Sequence, residues 1–188
     1  MEALFTSIGV VALAEIGDKT QLLSLALASR YRKPWPIIAG IFVATLLNHA
    51  LAGALGAWVA GLFTPQTLRW ILAASFFAMA AWILVPDKLD AHARESGRFG
   101  VFAATTVAFF LVEMGDKTQI ATVALAARYS DLAAVVGGTT VGMLIANAPV
   151  VVLGERLMKR LPVGLVHKVA AGVFLALGIA VIGFPSAA

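Results

Sequence analysis

Glu15-Ile16-Gly17-Asp18-Lys19-Thr20-Gln21 lies inside an apolar run from residue 3 to about residue 28. It returns as Glu113-Met114-Gly115-Asp116-Lys117-Thr118-Gln119 inside a second run, from about 99 to 127. Four carboxylates and two lysines therefore stand well away from the ends of two hydrophobic segments. An ionisable residue at that depth in a bilayer is costly and marks function by default. Asp and Glu are too short to snorkel back to the interface as a long basic chain can.

The rest of the chain agrees that lipid is its solvent. Of 188 residues, 61% are hydrophobic and 13% charged, where soluble domains carry about 25% charged residues. The mean hydropathy is +0.93. The absence of cysteine excludes a disulfide scaffold, an iron–sulfur cluster and a thiolate zinc site. The formal charge of +4 reads as basic loops on one side of a membrane rather than as a nucleic-acid surface. The opening Met1-Glu2-Ala3-Leu4-Phe5 lacks the basic start of a signal peptide, so the first run is expected to be a mature span.

A spanning helix needs roughly 20 mainly apolar residues. Six segments qualify, at about 3–28, 35–61, 68–85, 99–127, 132–153 and 165–184. Spans one to three recur as spans four to six at a constant offset of 98. From Glu15 to Tyr31 against Glu113 to Tyr129, 11 of 17 positions are identical, and Gly40 aligns with Gly138, His49 with Asn147, and Leu55-Gly56 with Leu153-Gly154. Three spans is an odd number, so the second half enters the membrane from the opposite side, as in transporters with inverted repeats.

Lys and Arg set the orientation. The odd connectors carry ten (Arg30, Arg32, Lys33; Lys88, Arg94, Arg98; Arg156, Lys159, Arg160, Lys168) and the even ones two, Arg69 and Arg128. The positive-inside rule then puts both termini outside. The expected fold is an all-α integral membrane protein of six transmembrane helices in two inverted three-helix repeats, 1–86 and 99–188, joined by a cytoplasmic connector at 87–98. Gly40-x-x-x-Ala44, Gly53-x-x-x-Ala57 and Gly138-x-x-x-Gly142 read as helix-packing positions. Trp35, Trp58, Trp70 and Trp82 fall near span ends, as an interfacial belt requires.

The chemistry follows from the motif. Glu15 and Asp18, like Glu113 and Asp116, are three residues apart and would share a helix face. The intervening Gly17 and Gly115 permit a bent or partly unwound helix, with freed carbonyls available to an ion. Thr20, Thr118, Gln21 and Gln119 add neutral oxygens. Such a set suits Ca2+, Mg2+ or Mn2+ better than zinc or copper. With Lys19 and Lys117 balancing two of the four acids, the ionised cluster carries −2, which one divalent cation or two protons would neutralise. A buried charge of −2 is expensive, so metal and protons compete for the site. Asn48 and His49, with Asn147, are the next polar residues at depth, either lining the same cavity or bonding helices together. Pro149 is expected to kink the fifth span. His92 and His167, in or near connectors, are expected to be solvated.

The paired motifs in a six-span chain resemble the Gdt family of cation/proton exchangers, whose signature is Glu-x-Gly-Asp, then Lys or Arg, then Thr or Ser. Glu15, Gly17, Asp18, Lys19 and Thr20 match it, as do Glu113, Gly115, Asp116, Lys117 and Thr118. The resemblance implies export of Mn2+, with Ca2+ as a second cargo, from the cytoplasm in exchange for protons. It also implies a prokaryotic cytoplasmic membrane, since the chain lacks the extensions of many eukaryotic relatives. No cofactor and no nucleic acid are expected, and the oligomeric state is left open. A passive cation channel and an exporter of small organic cations are the competing readings. An enzyme is not expected, because no nucleophile–base pair or phosphate-binding loop is present, and Gly137-Gly138 falls in an apolar span.

Overall fold

The computed structural model describes residues 1–85, 100–158 and 162–183. The expected connector at 87–98, with Lys88, His92, Arg94 and Arg98, and the basic residues Lys159 and Arg160 lie outside the described residues. Among those described, regular structure is helical throughout: α1 (Glu2–Glu15), α2 (Lys19–Tyr31), α3 (Pro34–Ala60), α4 (Pro65–Trp82), α5 (Val101–Glu113), α6 (Lys117–Arg128), α7 (Leu132–Leu153), the single turn α8 (Glu155–Met158) and α9 (Val163–Gly183).

Helices α3, α7 and α9 are long and apolar enough to cross a bilayer. The first and fourth expected spans are not continuous. Each is two shorter helices, α1 with α2 and α5 with α6, parted at the acidic motif. At 1.5 Å per residue a piece of 14 or 13 residues reaches only roughly 20 Å, short of a hydrocarbon core of about 30 Å. Helix α4 has 18 residues and carries Arg69, which keeps it below the length and apolarity of the other three. Pro149 lies inside α7, which runs on to Leu153.

Helix pairing is exchanged between the halves. α1 packs on α7, and its equivalent α5 packs on α3; α3 packs on α6, and α7 on α2. α4 packs on α9, its own counterpart. At that contact Phe76 meets Phe174 with ring centroids 6.4 Å apart, two residues separated by the repeat offset. The close approaches also match. A Cβ on Gly40 would come within 2.7 Å of Thr105 Cβ, and one on Gly138 within 2.8 Å of Ser7 Cβ. Small residues at these crossings let backbones touch where lipid gives no hydrophobic drive.

Burial is inside out relative to a soluble protein. Leu51, Leu111 and Ile179 are more than 60% exposed, while Glu15, Asp18, Glu113, Asp116 and Lys117 are buried. So much exposed apolar surface is tolerable only against lipid. Trp35, Trp58, Trp70 and Trp82 are exposed and lie at or near the ends of α3 and α4.

Candidate metal centre

The site is built on the two breaks. Ile16 and Met114 are extended (φ −67°, ψ 119° and φ −60°, ψ 121°). Gly17 and Gly115 follow at φ +87° and +74°, a region that costs an L side chain roughly 1–2 kcal/mol. A single turn bond survives in each copy, from Asp18 N to Glu15 O at 3.1 Å and from Asp116 N to Glu113 O at 3.0 Å. The glutamine one turn on splints the gap. Gly17 N donates to Gln21 Oε1 at 2.8 Å, and Gly115 N donates to Gln119 Oε1 at 2.6 Å. A backbone amide freed at membrane depth needs such a partner, which explains glutamine at this position of the motif.

Asp18 and Asp116 are the residues that precede α2 and α6. An aspartate there ordinarily caps the helix with its own carboxylate. Neither makes a side-chain cap bond; both carboxylates meet lysines of the opposite half. Lys19 Nζ lies 2.8 Å from Asp116 Oδ1 and Lys117 Nζ 3.3 Å from Asp18 Oδ1. The crossed pairs bring the two motifs together at the centre of the molecule. One oxygen from each of Glu15, Asp18 and Asp116 lies within 4.8 Å of the other two, and all three residues are buried. Oxygens on opposite sides of one Ca2+-sized ion are at most about 5 Å apart, so a single cation can be shared by this triad.

The fourth acid is held apart from that group. Glu113 accepts hydrogen bonds from Thr45 Oγ1 at 3.1 Å and Asn48 Nδ2 at 3.4 Å, whereas Glu15 accepts one from Thr20. Thr118 is buried, and its hydroxyl lies 3.5 Å from Asp116 Oδ2. Gln21 also donates to the Ala146 carbonyl of α7 at 2.9 Å. Asn147 accepts from Ser24 at 2.8 Å and donates to the Met143 carbonyl at 3.2 Å, so its amide is engaged in joining α2 to α7. His49 is fully buried, with no hydrogen bond to either ring nitrogen among the described residues.

Two expectations are overturned. Glu15 and Asp18, like Glu113 and Asp116, do not share a helix face, because each pair straddles a helix break. His167 is not solvated: it is half-buried on α9, and its Nε2 donates to the Ile16 carbonyl at 2.9 Å. The helix break leaves that carbonyl without its own helical donor, and α9 supplies one. Thr45, Ser24 and His167 were missed in the sequence because each acts across helices. Only Thr45 left a trace, lying one turn before Asn48 on the same face of α3.

Comparison with known proteins gives the family. The model of the family described as "Divalent cation/proton antiporter GDT1" matches residues 3–91 and 101–184. The "Putative manganese exporter" of Vibrio cholerae serotype O1 is 59% identical over 181 residues, covering 96% of this chain and 90% of that protein. "GDT1-like protein 4" of Oryza sativa subsp. indica is 27% identical, over 98% of this chain and 74% of its own length. "GDT1-like protein 3" of Arabidopsis thaliana is 26% identical, over 98% and 71%. No solved structure matches the chain. With both motif-bearing halves matched, this multi-pass membrane protein belongs to the GDT1 family of divalent cation/proton antiporters.

Proposed function

We propose that the chain exports Mn2+, with Ca2+ as a second cargo, across a prokaryotic cytoplasmic membrane in exchange for protons. The observation that carries this reading is the buried triad of Glu15, Asp18 and Asp116, whose oxygens approach within 4.8 Å. These three hold the cation, Glu113 and the hydroxyls of Thr20 and Thr118 complete its surroundings, and Gln21 and Gln119 keep the two breaks in shape. Lys19 and Lys117 cancel part of the acidic charge. The remaining −2 is met by one divalent cation or by two protons, and that equivalence is what couples their movements.

Residues 1–86 and 99–188 act as two inverted repeats with both termini outside and the connector at 87–98 in the cytoplasm. The exchanged pairing of α1 on α7 and α5 on α3, and the self-equivalent Phe76–Phe174 contact, support a twofold relation between the halves. Rocking one repeat against the other exposes the shared site to each side in turn.

Proton flux driven by Mn2+ in proteoliposomes tests the reading. It is expected in the wild-type chain and lost in Glu15→Gln combined with Asp116→Asn. Undiminished Mn2+-driven proton flux in that double variant would contradict it.

A further inference from the structure

The two breaks have the same backbone and different covers. Above Gly17 sits the first turn of α9: a Cβ there would meet Val163 Cγ1 at 2.2 Å and His167 Nε2 at 3.0 Å. Above Gly115 no described atom outside its chain neighbours lies within 4 Å of the same point, and Met114 is 57% exposed. The lysines follow suit, with the Lys19 side chain beside the uncovered break 23% exposed and that of Lys117 2%.

The offset of 98 says what would cover the second break. It maps Val163 to Pro65, His167 to Arg69 and Ile16 to Met114. Pro65 and Arg69 lie in the first two turns of α4, as Val163 and His167 do in α9. Here Arg69 lines a cavity of about 250 Å3 between the start of α4 and the end of α6, with Phe63, Leu72, Ala127 and Arg128 on its walls. The guanidinium lies over Trp70, 5.5 Å from the ring centroid. Its Nε is buried without a partner among the described residues. A long side chain whose Nε has no partner among the described residues thus stands by the end of α6, away from Gly115, on the helix equivalent to the one that seals the first break; α4 packs on α6, whereas α9 packs on α1.

We propose that His167 and Arg69 are equivalent positioning residues, each locking one of two exchanged states by donating a hydrogen bond to the carbonyl its break sets free. In the state seen here, His167 holds α9 over the Ile16 carbonyl. In the opposite state, α4 leaves the end of α6 for α5, Pro65 covers Gly115, and Arg69 donates to the Met114 carbonyl, while α9 releases Ile16 and leaves α1 for α2. A carbonyl freed in a low-dielectric setting needs a donor, so each latch stabilises only the state in which its break is covered. The idea rests on the inverted-repeat transport reading above and specifies what holds each state shut.

The cysteine-free sequence allows a direct test with spin-label pairs. Thr67→Cys with Ser130→Cys reports the outer ends of α4 and α6. Its repeat equivalent, Leu165→Cys with Arg32→Cys, reports α9 and α2; all four positions are exposed. Pulsed electron–electron distances are measured on purified protein, with a thermal melt verifying that each variant is folded. His167→Ala should lengthen the outer distance and shorten the inner one. Arg69→Ala should leave the outer distance as it is or shorten it. His167→Gln, which keeps a donor, should restore the starting distribution. Movement in the same sense for His167→Ala and Arg69→Ala, or no movement in either folded variant, would overturn the proposal. Mn2+–proton exchange assayed in parallel separates the two claims. Exchange with unresponsive distances refutes the latches alone, whereas responsive distances without exchange refute the choice of cargo.

Discussion

Gly17 and Gly115 share five motif neighbours and similar φ angles, yet Gly17 is packed under α9, while nothing among the described residues covers Gly115. The difference separates two levels of cause. The local sequence makes the break: a glycine at positive φ, an aspartate that starts the next helix and a glutamine that splints the gap. Which break is covered is decided by α4 and α9, remote in sequence from both. The acids divide in the same way, Glu15 joining the triad with Asp18 and Asp116 while Glu113 turns to Thr45 and Asn48.

The sharpest way to break the comparison is through the lysines. Lys117→Met strips a buried partner from Asp18 and should cost about 3–5 kcal/mol. Lys19→Met, at a side chain 23% exposed whose partner Asp116 is buried, should cost less, about 1–3 kcal/mol. Unfolding of the detergent-solubilised variants measures both, and equal losses would mean that the two crossed pairs are equivalent. The glycines come next. Gly115→Ala bears only the backbone penalty of about 1–2 kcal/mol. Gly17→Ala adds displacement of Val163, a further 1–3 kcal/mol or so. Equal melting shifts would show that α9 does not press on the first break.

The acids give a smaller but more specific difference. Glu15→Gln should weaken Mn2+ binding at least about tenfold, roughly 1.4 kcal/mol. Glu113→Gln should weaken it less, because its carboxylate lies outside the triad; titration of the purified variants ranks them. Smallest of all, Ser24→Ala removes the bond to Asn147 and should lower stability by about 1 kcal/mol without changing cation preference.

Much of this was legible in the sequence for a physical reason. Charged and glycine residues inside apolar runs have few structural uses, so Glu15, Gly17, Asp18 and their copies announced where the two helices break. The offset of 98 likewise predicted that the two acidic motifs would break their helices alike. What could not be read was anything set by packing between helices remote in the chain. His167 looked like a connector residue because α9 was expected to begin only two residues before it, with nothing to place that turn over Ile16. Glu113 looked equivalent to Glu15 because the motif is identical, and only Thr45 and Asn48 on α3 distinguish them. Gln21 and Gln119 were legible as polar at depth, but their bonds to Gly17 and Gly115 depend on the broken backbone.

On the reading proposed above, one divalent cation and protons occupy the same buried carboxylates. Calorimetric titration of the purified protein with Mn2+, in buffers of different ionisation enthalpy and at two pH values, tests it most directly. Release of up to two protons per Mn2+ bound is expected, with tighter binding at the higher pH and loss of that release in Glu15→Gln with Asp116→Asn. Binding of Mn2+ with no proton release at either pH, or release unchanged in the double variant, would contradict it.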